Sequence, residues 1–401
     1  MKYFTIVMLS FTFSYFSSQS IKDNKVSINY IQLPKKKVDE AVTSFFTIYK
    51  DSYNSQNSRQ LSVYQFKVDS AESDQQAKIS NWKESYNSKK EKHLVNLSIW
   101  KQNSAKGIVT PKPIEPIWPK YPEPYFLFPP PLTKGYSELM SKNINIAGFN
   151  KGNSGVEIEI DNLGLEILSI KGKYAAQKKS YFTTARYKMP IVIKTSYNGQ
   201  VLVQKQYHNI VGTHTIYNGK TEYDYELWKI NIQKENKDIW LDLQKKLWHI
   251  AIDDIKNILN SEIGYPKKRE ETEIYVVKKF QDFSYDKLID ALTFAQTGYA
   301  AMSMDRDKST AKKSLKMAID IWEKELEEAD LQNKKARINA KISGLISANL
   351  ADAYFWMEDF EKTNYHINKA LSQGNLKAKN HCKKLKKDIP DFRARYNAFN
   401  Q

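Results

Sequence analysis

The chain has few residue types at the spacings that enzymes use for catalysis. Its histidines never form the H-E-x-x-H helical pair of zinc hydrolases, and there is no G-x-S-x-G nucleophile elbow. His208 and His214 come closest to a ligand pair, but no acidic residue stands near them at ligand-like spacing. Cys382 is the only cysteine, which excludes an intrachain disulfide and a cysteine-rich metal site. We therefore predict no enzyme activity, no cofactor and no metal.

Three carboxylates are the remaining candidates for chemistry. Glu157, Glu159 and Asp161 alternate with apolar residues in the run 156–161. In a strand they lie on one face, with neighbours roughly 6–7 Å apart, and two carboxylates near this separation are what a glycosidase needs. A half-buried strand with a polar outer face has the same alternation, and we favour that interpretation.

The charge balance favours anionic surfaces as possible contacts. The formal net charge is +17, spread along the chain, and its densest patch lies near the C-terminus. That patch contains Lys377, Lys379, Lys383, Lys384, Lys386, Lys387, Arg393 and Arg395. We interpret it as a solvated helix face with at most weak attraction to anionic surfaces. Nucleic-acid binding would require stacking aromatics interleaved with the basic residues, so we predict no nucleic-acid partner.

The first residues predict export. Lys2 precedes the uncharged run Tyr3–Phe16, and the small residues of Ser18–Ser20 follow, which is the pattern of a signal peptide over residues 1–20, cleaved near Ser20. No later stretch approaches the roughly 20 apolar residues of a membrane helix, so we predict no membrane span. We expect a periplasmic or secreted protein of the cell envelope.

Residues 21–110 are predicted to form strands followed by a long helical arm. Val26–Leu33 and Phe45–Tyr49 have strand patterns. Ala71–Lys101 carries apolar residues at a spacing of three and four, which predicts a long helix with a narrow apolar stripe. The stripe consists of Ile79, Trp82, Tyr86, His93, Leu97 and Trp100. The sequence leaves open whether this helix packs on the domain, projects from it, or pairs with a second copy.

Residues 111–133 contain nine of the thirteen prolines. Between Pro113 and Pro122 they recur at every third residue, which matches the three residues per turn of a polyproline II helix. We favour a stiff strap laid over a β domain. The alternative is a ligand segment for an aromatic groove on a partner.

Residues 134–284 are predicted to form an α+β domain. Strand patterns surround the turns Gly152–Gly155 and Asn198–Gly199, and Glu222–Ile232 is interpreted as a further strand. Pro190 indicates an edge position or a break in its strand. Asp238–Asn260 has a broad apolar face and predicts a buried helix. The whole chain is therefore assigned to the α+β class, with a mixed or antiparallel β region followed by an all-α C-terminal region.

The segment Ser343–Asn375 resembles a tetratricopeptide repeat. Leu350, Ala351 and Tyr354 fall at the family's spacing on a first helix, and Ala370 falls on the second. Asp359-Phe360 lies at the turn between them. The segment departs from the family pattern at three positions, Ser347, Thr363 and Asn375.

The resemblance extends to an array over residues 285–401. Leu288–Met304 and Ala311–Leu326 form a second predicted helix pair, and Leu376–Leu385 is predicted to cap the stack. The layout also resembles exported proteins of bacterial envelopes in which a β-containing domain precedes such helices. The resemblance implies that the first helix of each pair presents a surface to a partner protein. The partner-binding candidates are Arg337, Lys341, Asn349, Asp352 and Trp356.

These observations lead to two main hypotheses, and the basic C-terminal patch adds a third, attachment to anionic lipid. The first is an exported, non-catalytic envelope scaffold or adaptor that binds another envelope protein, of unknown identity, through the helical array. The alternative is a carbohydrate-binding or carbohydrate-processing protein, because 25 tyrosines and 8 tryptophans offer faces on which sugars stack.

Overall fold

The computed structural model describes residues 20–176, 179–234, 238–304 and 308–400. The predicted signal peptide therefore lies outside the described residues, apart from Ser20. The chain has the predicted α+β fold and divides into two compact units. Unit 1 comprises the chain up to Ser44, residues 145–152 and residues 256–401, and unit 2 comprises residues 45–144 and 153–255.

The elements are numbered along the chain. The strands are β1 (Ser20–Ile31), β2 (Ser44–Lys50), β3 (Asn150–Lys151), β4 (Val156–Asn162), β5 (Glu166–Ala175), β6 (Ser180–Tyr197), β7 (Gln200–Gly219) and β8 (Lys267–Lys279). The helices are α1 (Tyr53–Ala105), α2 (Ser137–Asn143), α3 (Glu222–Lys234), α4 (Leu241–Glu262), α5 (Asp286–Ala301), α6 (Ser309–Glu327), α7 (Ala340–Trp356), α8 (Phe360–Gln373) and α9 (Leu376–Asn400).

The sheet of unit 2 is built around β6. β7 pairs with one edge of β6 through the hairpin turn Asn198–Gly199, as the sequence predicts. β4 and β5 pair with consecutive stretches of β6, and β2 runs parallel to β4. The register shows that β4 and β5 follow one another along the same edge of β6, interrupted only by residues 163–165.

Pro190 lies inside β6, and the expectation of an edge position is wrong. Its carbonyl accepts a hydrogen bond from the Leu163 N–H (3.0 Å), so its nitrogen faces the interruption between β4 and β5. The N–H and C=O of one residue point to the same side of an antiparallel strand. The missing proline N–H therefore removes no hydrogen bond to β7, and a central strand tolerates the residue.

Residues 222–232 form helix α3, which corrects the predicted strand. The Thr221 hydroxyl accepts a hydrogen bond from the backbone N–H of Asp224 (3.1 Å) and donates one to its carboxylate (2.6 Å). This local arrangement starts a helix. The alternating aromatics that favour a strand instead pack one helical turn apart, with Tyr225 and Trp228 both against Tyr217.

Helix α1 is longer than predicted, at 53 residues, which corresponds to about 80 Å. The strap returns along it. The indole N–H of Trp82 donates to the Pro119 carbonyl (2.9 Å), and that of Trp100 donates to the Thr110 carbonyl (3.0 Å). Residues 110–125 therefore lie along α1, whereas the end of the strap, residues 127–133, lies beside β5 as expected for a strap on a β domain. A polyproline II segment leaves its carbonyls unpaired, and these satisfy the indole donors.

Aromatic side chains fill the contact between the helix and the strap. The Trp82 ring stacks on Tyr86 and meets Tyr121 edge-on, at centroid distances of 5.3 and 5.0 Å. Trp118 contacts Tyr86 and, edge-on, His93. We call this pairing of Ala71–Ala105 with residues 110–125 the arm. The predicted apolar stripe of the helix is therefore the internal contact of the arm.

Unit 1 combines a two-stranded ribbon with helices α5 to α9. β1 and β8 pair antiparallel along their full length and form the ribbon. α5 packs with α6 and α7 packs with α8, and the buried residues of the ribbon and the five helices form one continuous core. Gly344 and Gly374 allow α7 and the end of α8 to approach closely, because a Cβ on Gly344 would lie 2.2 Å from the Gly374 nitrogen.

A buried arginine fixes the C-terminal end of α9 within unit 1. The Arg395 guanidinium donates to the backbone carbonyls of Leu33 and Ser261, each at 2.8 Å. It also donates to the Asp391 carboxylate one turn earlier (2.7 Å). One residue of the predicted basic patch therefore serves the fold and does not face solvent.

Candidate functional site

The predicted partner-binding residues lie in or just before α7. Lys341 is exposed. Arg337 forms ion pairs with the buried Glu325 (2.7 Å) and with Glu328 (2.6 Å). The other three candidates share one face of α7 and are each 2–3% exposed. These three are Asn349, Asp352 and Trp356.

Asn349 holds the backbone of the ribbon. Its side-chain oxygen accepts a hydrogen bond from the Tyr275 N–H (2.9 Å), and its amide donates to the Tyr275 carbonyl (2.8 Å). Trp356, two turns along the same face, meets the Tyr30 ring of β1 edge-on at 4.9 Å. The face of α7 that the sequence assigns to a partner therefore contacts the chain's own β1 and β8. The Asn349 amide bonds only to backbone groups of β8, so this contact does not depend on the side chain at position 275.

Asp352 lies at the centre of a buried polar cluster. It accepts a hydrogen bond from the Tyr299 hydroxyl (2.6 Å), and its other oxygen lies 3.3 Å from Nε2 of His381. Burial, and then the charge of Asp352, raises the pKa of Tyr299 well above its ordinary value, so the hydroxyl remains a donor. Burial also raises the pKa of the neighbouring Cys382 to about 12. The thiol is neutral at ordinary pH and is not a nucleophile.

His381 borders a groove between β8 and α9. The groove has a volume of about 450 Å³ and mixed charge. It is lined by Lys25, Glu271, Thr272, Glu273, Lys377, Asn380, His381 and Lys384. Two ion pairs join the ribbon to α9 next to the groove, one from Lys377 to Asp23 and one from Lys384 to Glu270.

The edge of β8 that faces this groove is unpaired. Both backbone groups of Tyr275 point away from β1, toward Asn349. Alternate residues of a strand point their N–H and C=O groups to the same side, so those of Glu273 and Glu271 point the same way. Among the described residues, no backbone hydrogen bond joins these groups to another segment. These backbone groups of Glu271 and Glu273 form a short strand edge without a backbone partner, which we call the free edge of β8. Side chains of α7, namely Asp352, Phe355 and Trp356, lie next to it.

Unit 2 contains a separate pocket of about 420 Å³. It lies between the first turns of α1, the end of the strap and β5, and Phe128 and Trp240 supply aromatic walls. Gln60 lines it and donates to the Leu165 carbonyl (2.8 Å), while its side-chain oxygen is buried without a hydrogen-bond donor. Arg59 and Lys67 add positive charge. The size suits a small molecule that has both an apolar face and polar groups.

The three carboxylates of β4 line the polar face of a half-buried strand, as the sequence interpretation favours. The burial pattern of β4 alternates at every residue. Glu159 pairs with Lys50 (2.8 Å), and Asp161 accepts hydrogen bonds from the backbone N–H and hydroxyl of Ser52. These side chains have structural partners and do not converge on a cleft.

Comparison with known proteins gives no assignment. No family model matches the chain, and neither a curated protein nor a solved structure matches it. Within the described ranges, no helix is both long and apolar enough to span a membrane, and no three His, Cys, Asp or Glu side chains are grouped as metal ligands.

We expect Asn349→Leu to destabilise unit 1 by about 2–4 kcal/mol. The substitution keeps the volume but leaves the N–H and C=O of Tyr275 without partners, and each unsatisfied buried group costs roughly 1–3 kcal/mol. Denaturant unfolding of the full chain measures the change. Lys341→Leu, at the exposed start of the same helix, serves as the control. An unchanged free energy of unfolding for Asn349→Leu would show that the two hydrogen bonds to Tyr275 do not stabilise unit 1.

A buried histidine makes the α7–α8 pair sensitive to acid. His366 stacks on Tyr354 at a centroid distance of 5.5 Å, and burial lowers its pKa to about 4. The unfolded chain binds the same proton with an ordinary pKa of about 6.5. Between these two pH values the folded state binds fewer protons than the unfolded state, so stability falls as the pH is lowered through this window.

We expect His366→Phe to remove this part of the acid sensitivity. The ring stack is retained, and the loss of stability between pH 7 and pH 4 shrinks by about 3 kcal/mol relative to the native chain. Unfolding curves across the pH range measure it. His249 is exposed, so His249→Gln should keep the native dependence of the free energy of unfolding on pH. If His366→Phe and the native chain showed the same dependence, the assignment to His366 would be contradicted.

Proposed function

We propose that the chain is an exported, non-catalytic envelope scaffold that binds an extended segment of a partner protein in the groove between β8 and α9. The observation that carries the proposal is the free edge of β8 at Glu271 and Glu273 beside this groove. An unpaired strand edge binds an extended peptide through backbone hydrogen bonds, as in other cases of strand addition.

The neighbouring contact supports this mode of binding. Asn349 already holds one residue of the same edge through backbone groups alone. The groove continues that edge, with the mixed charges of Glu271, Glu273, Lys377 and Lys384 available to the side chains of a bound segment. From Lys377 to Lys384, α9 rises about 10 Å, which matches roughly three residues of an extended chain. The partner is therefore expected to contribute a short strand.

In this proposed function, the repeat-like helices α5 to α8 are a framework and not the binding surface. These helices hold the ribbon in place, and the partner meets the ribbon and α9, not a bare helical surface. Among the described candidates, only Lys341 is exposed on α7 itself. Export to the envelope rests on the predicted signal peptide.

We expect Asn380→Trp to abolish partner capture. The indole fills the groove beside the free edge of β8 and blocks an added strand, whereas the exposed position of Asn380 leaves the fold intact. Cross-linked affinity capture from the native envelope, read by mass spectrometry, measures the loss. Lys386→Trp is the matched control, since this residue is exposed on the same helix and does not line the groove. Undiminished capture of the same protein by Asn380→Trp would overturn the proposal.

The pocket of unit 2 favours a second candidate, a carbohydrate-binding protein. Sugars stack on aromatic faces and hydrogen-bond to amide and guanidinium groups, and this pocket offers Phe128 together with Gln60 and Arg59. A glycan array on the mature chain tests it. We expect any saturable hit to weaken at least about tenfold in Gln60→Leu, because one well-placed hydrogen bond contributes about that factor. Absence of any hit, or a hit that Gln60→Leu leaves unchanged, excludes this pocket.

A further inference from the structure

The end of the arm carries aliphatic side chains that no part of the fold covers. Residues 106–117, where the chain leaves α1 and turns back into the strap, are called the tip loop. Val109, Ile114 and Ile117 are 98%, 91% and 88% exposed, and Ile108 is 51% exposed. Gly107, with a φ of +78°, makes the turn.

The geometry of the arm holds this loop in a fixed position. Trp100 donates to the Thr110 carbonyl (3.0 Å), and the Lys89 ammonium donates to the Ile117 carbonyl (2.9 Å). The aromatic contacts between helix and strap lie on the inner side of the arm and involve none of the four aliphatic residues. The exposed aliphatic groups are therefore presented by the fold and do not contribute to the contact within the arm.

Lysines surround these aliphatic groups. Between residues 89 and 117 the chain carries six lysines against two glutamates. Lys101, Lys106 and Lys112 flank the turn, and among the described residues their side chains form no ion pair. An apolar loop with a collar of unpaired cations is the arrangement that inserts into the boundary of an anionic bilayer, where the lysine stems lie along the acyl region and their ammonium groups reach the headgroup phosphates.

We propose that the tip loop docks the protein onto the surface of an anionic lipid bilayer. Its four aliphatic side chains enter the outermost acyl layer, and Lys101, Lys106 and Lys112 contact anionic headgroups. A protein partner at the same place is less favoured, since a stable protein interface covers about 800 Å² on each side and a single narrow loop offers much less. This inference goes beyond the scaffold function and does not involve the groove of unit 1.

Sedimentation of the full mature chain with lipid vesicles tests the proposal. We expect binding to vesicles of phosphatidylcholine mixed with phosphatidylglycerol, weaker binding to phosphatidylcholine alone, and a loss of binding as salt is raised. The double variant Val109→Asp, Ile114→Asp should bind at least about tenfold more weakly, and so should Lys106→Glu, Lys112→Glu. Leu376→Asp, which also replaces an exposed aliphatic residue, should bind as the native chain does.

A position-specific signal separates insertion from general charge attraction. Cys382 is fully buried, so Val109→Cys gives one accessible thiol for an environment-sensitive dye. We expect its emission to shift to the blue on the mixed vesicles, whereas a dye at Leu376→Cys should not shift. Lys383→Glu, Lys386→Glu, in the basic C-terminal helix, should retain binding.

Three results would overturn the proposal. They are no binding to the mixed vesicles, equal binding by the tip variants and the native chain, and loss of binding only in the α9 variant. Partner capture by the tip variants should remain intact, because the groove is unaltered. Failure of the groove proposal would appear in Asn380→Trp alone, so the two failures are distinguishable.

Discussion

The side chain of Asn349 exchanges two hydrogen bonds with the backbone of Tyr275, and the architecture of unit 1 depends on this contact. A buried strand edge must satisfy its N–H and C=O groups, and a helix side chain is the only partner that α7 can offer. The amide satisfies both groups at one residue and so sets the position of the ribbon along α7. Tyr30 and Trp356 then meet within a continuous apolar core. Beyond this contact, α7 continues beside β8, and Asp352, Phe355 and Trp356 border a small cavity with Glu270–Thr272.

In unit 2, buried backbone N–H and C=O groups must likewise be satisfied, but by different partners. Pro190 is accepted in a central strand because its nitrogen faces the point where β4 ends and β5 has not begun. The strap has no backbone hydrogen bonds within itself, and its carbonyls accept side-chain donors from α1 and from the start of α4. Trp240, directly before α4, donates to the Pro129 carbonyl, and Gln244 of α4 donates to the Leu132 carbonyl, each at 2.9 Å. Proline-rich backbone is thus held by side-chain donors on helices.

Three features of the described residues are considered for binding: the groove beside β8, the pocket bordered by Phe128 and Trp240, and the tip loop. They differ in chemistry. The groove offers backbone groups and mixed charge, the pocket offers aromatic faces with amide and guanidinium side chains, and the loop offers aliphatic groups among lysines. The reactive residue types are placed differently, since Cys382 is buried and the carboxylates of β4 are paired within the sheet. All three surfaces present groups that suit binding.

The sequence by itself determined the elements whose signals are local. The three-and-four spacing of the α1 aromatics, the hairpin turn Asn198–Gly199 and the period-two alternation in β4 each depend on neighbours within a few residues, and each is found in the structure. The helix at residues 222–232 also had a local signal, the capping pair Thr221 and Asp224, which the alternating aromatics outweighed in the prediction.

Only the tertiary structure decided which surfaces are occupied. Asn349 and Tyr275 are 74 residues apart, and nothing in the spacing along α7 indicates that its polar face is covered by a strand of the same chain. Likewise, the position of Pro190 is acceptable only because β4 and β5 share one edge of β6. The solvent exposure of Val109 and Ile114 depends on where the strap turns back along α1. Hydrophobic and hydrogen-bonding capacity can be read from residue types, but which group satisfies which is settled by contacts between segments far apart in the chain.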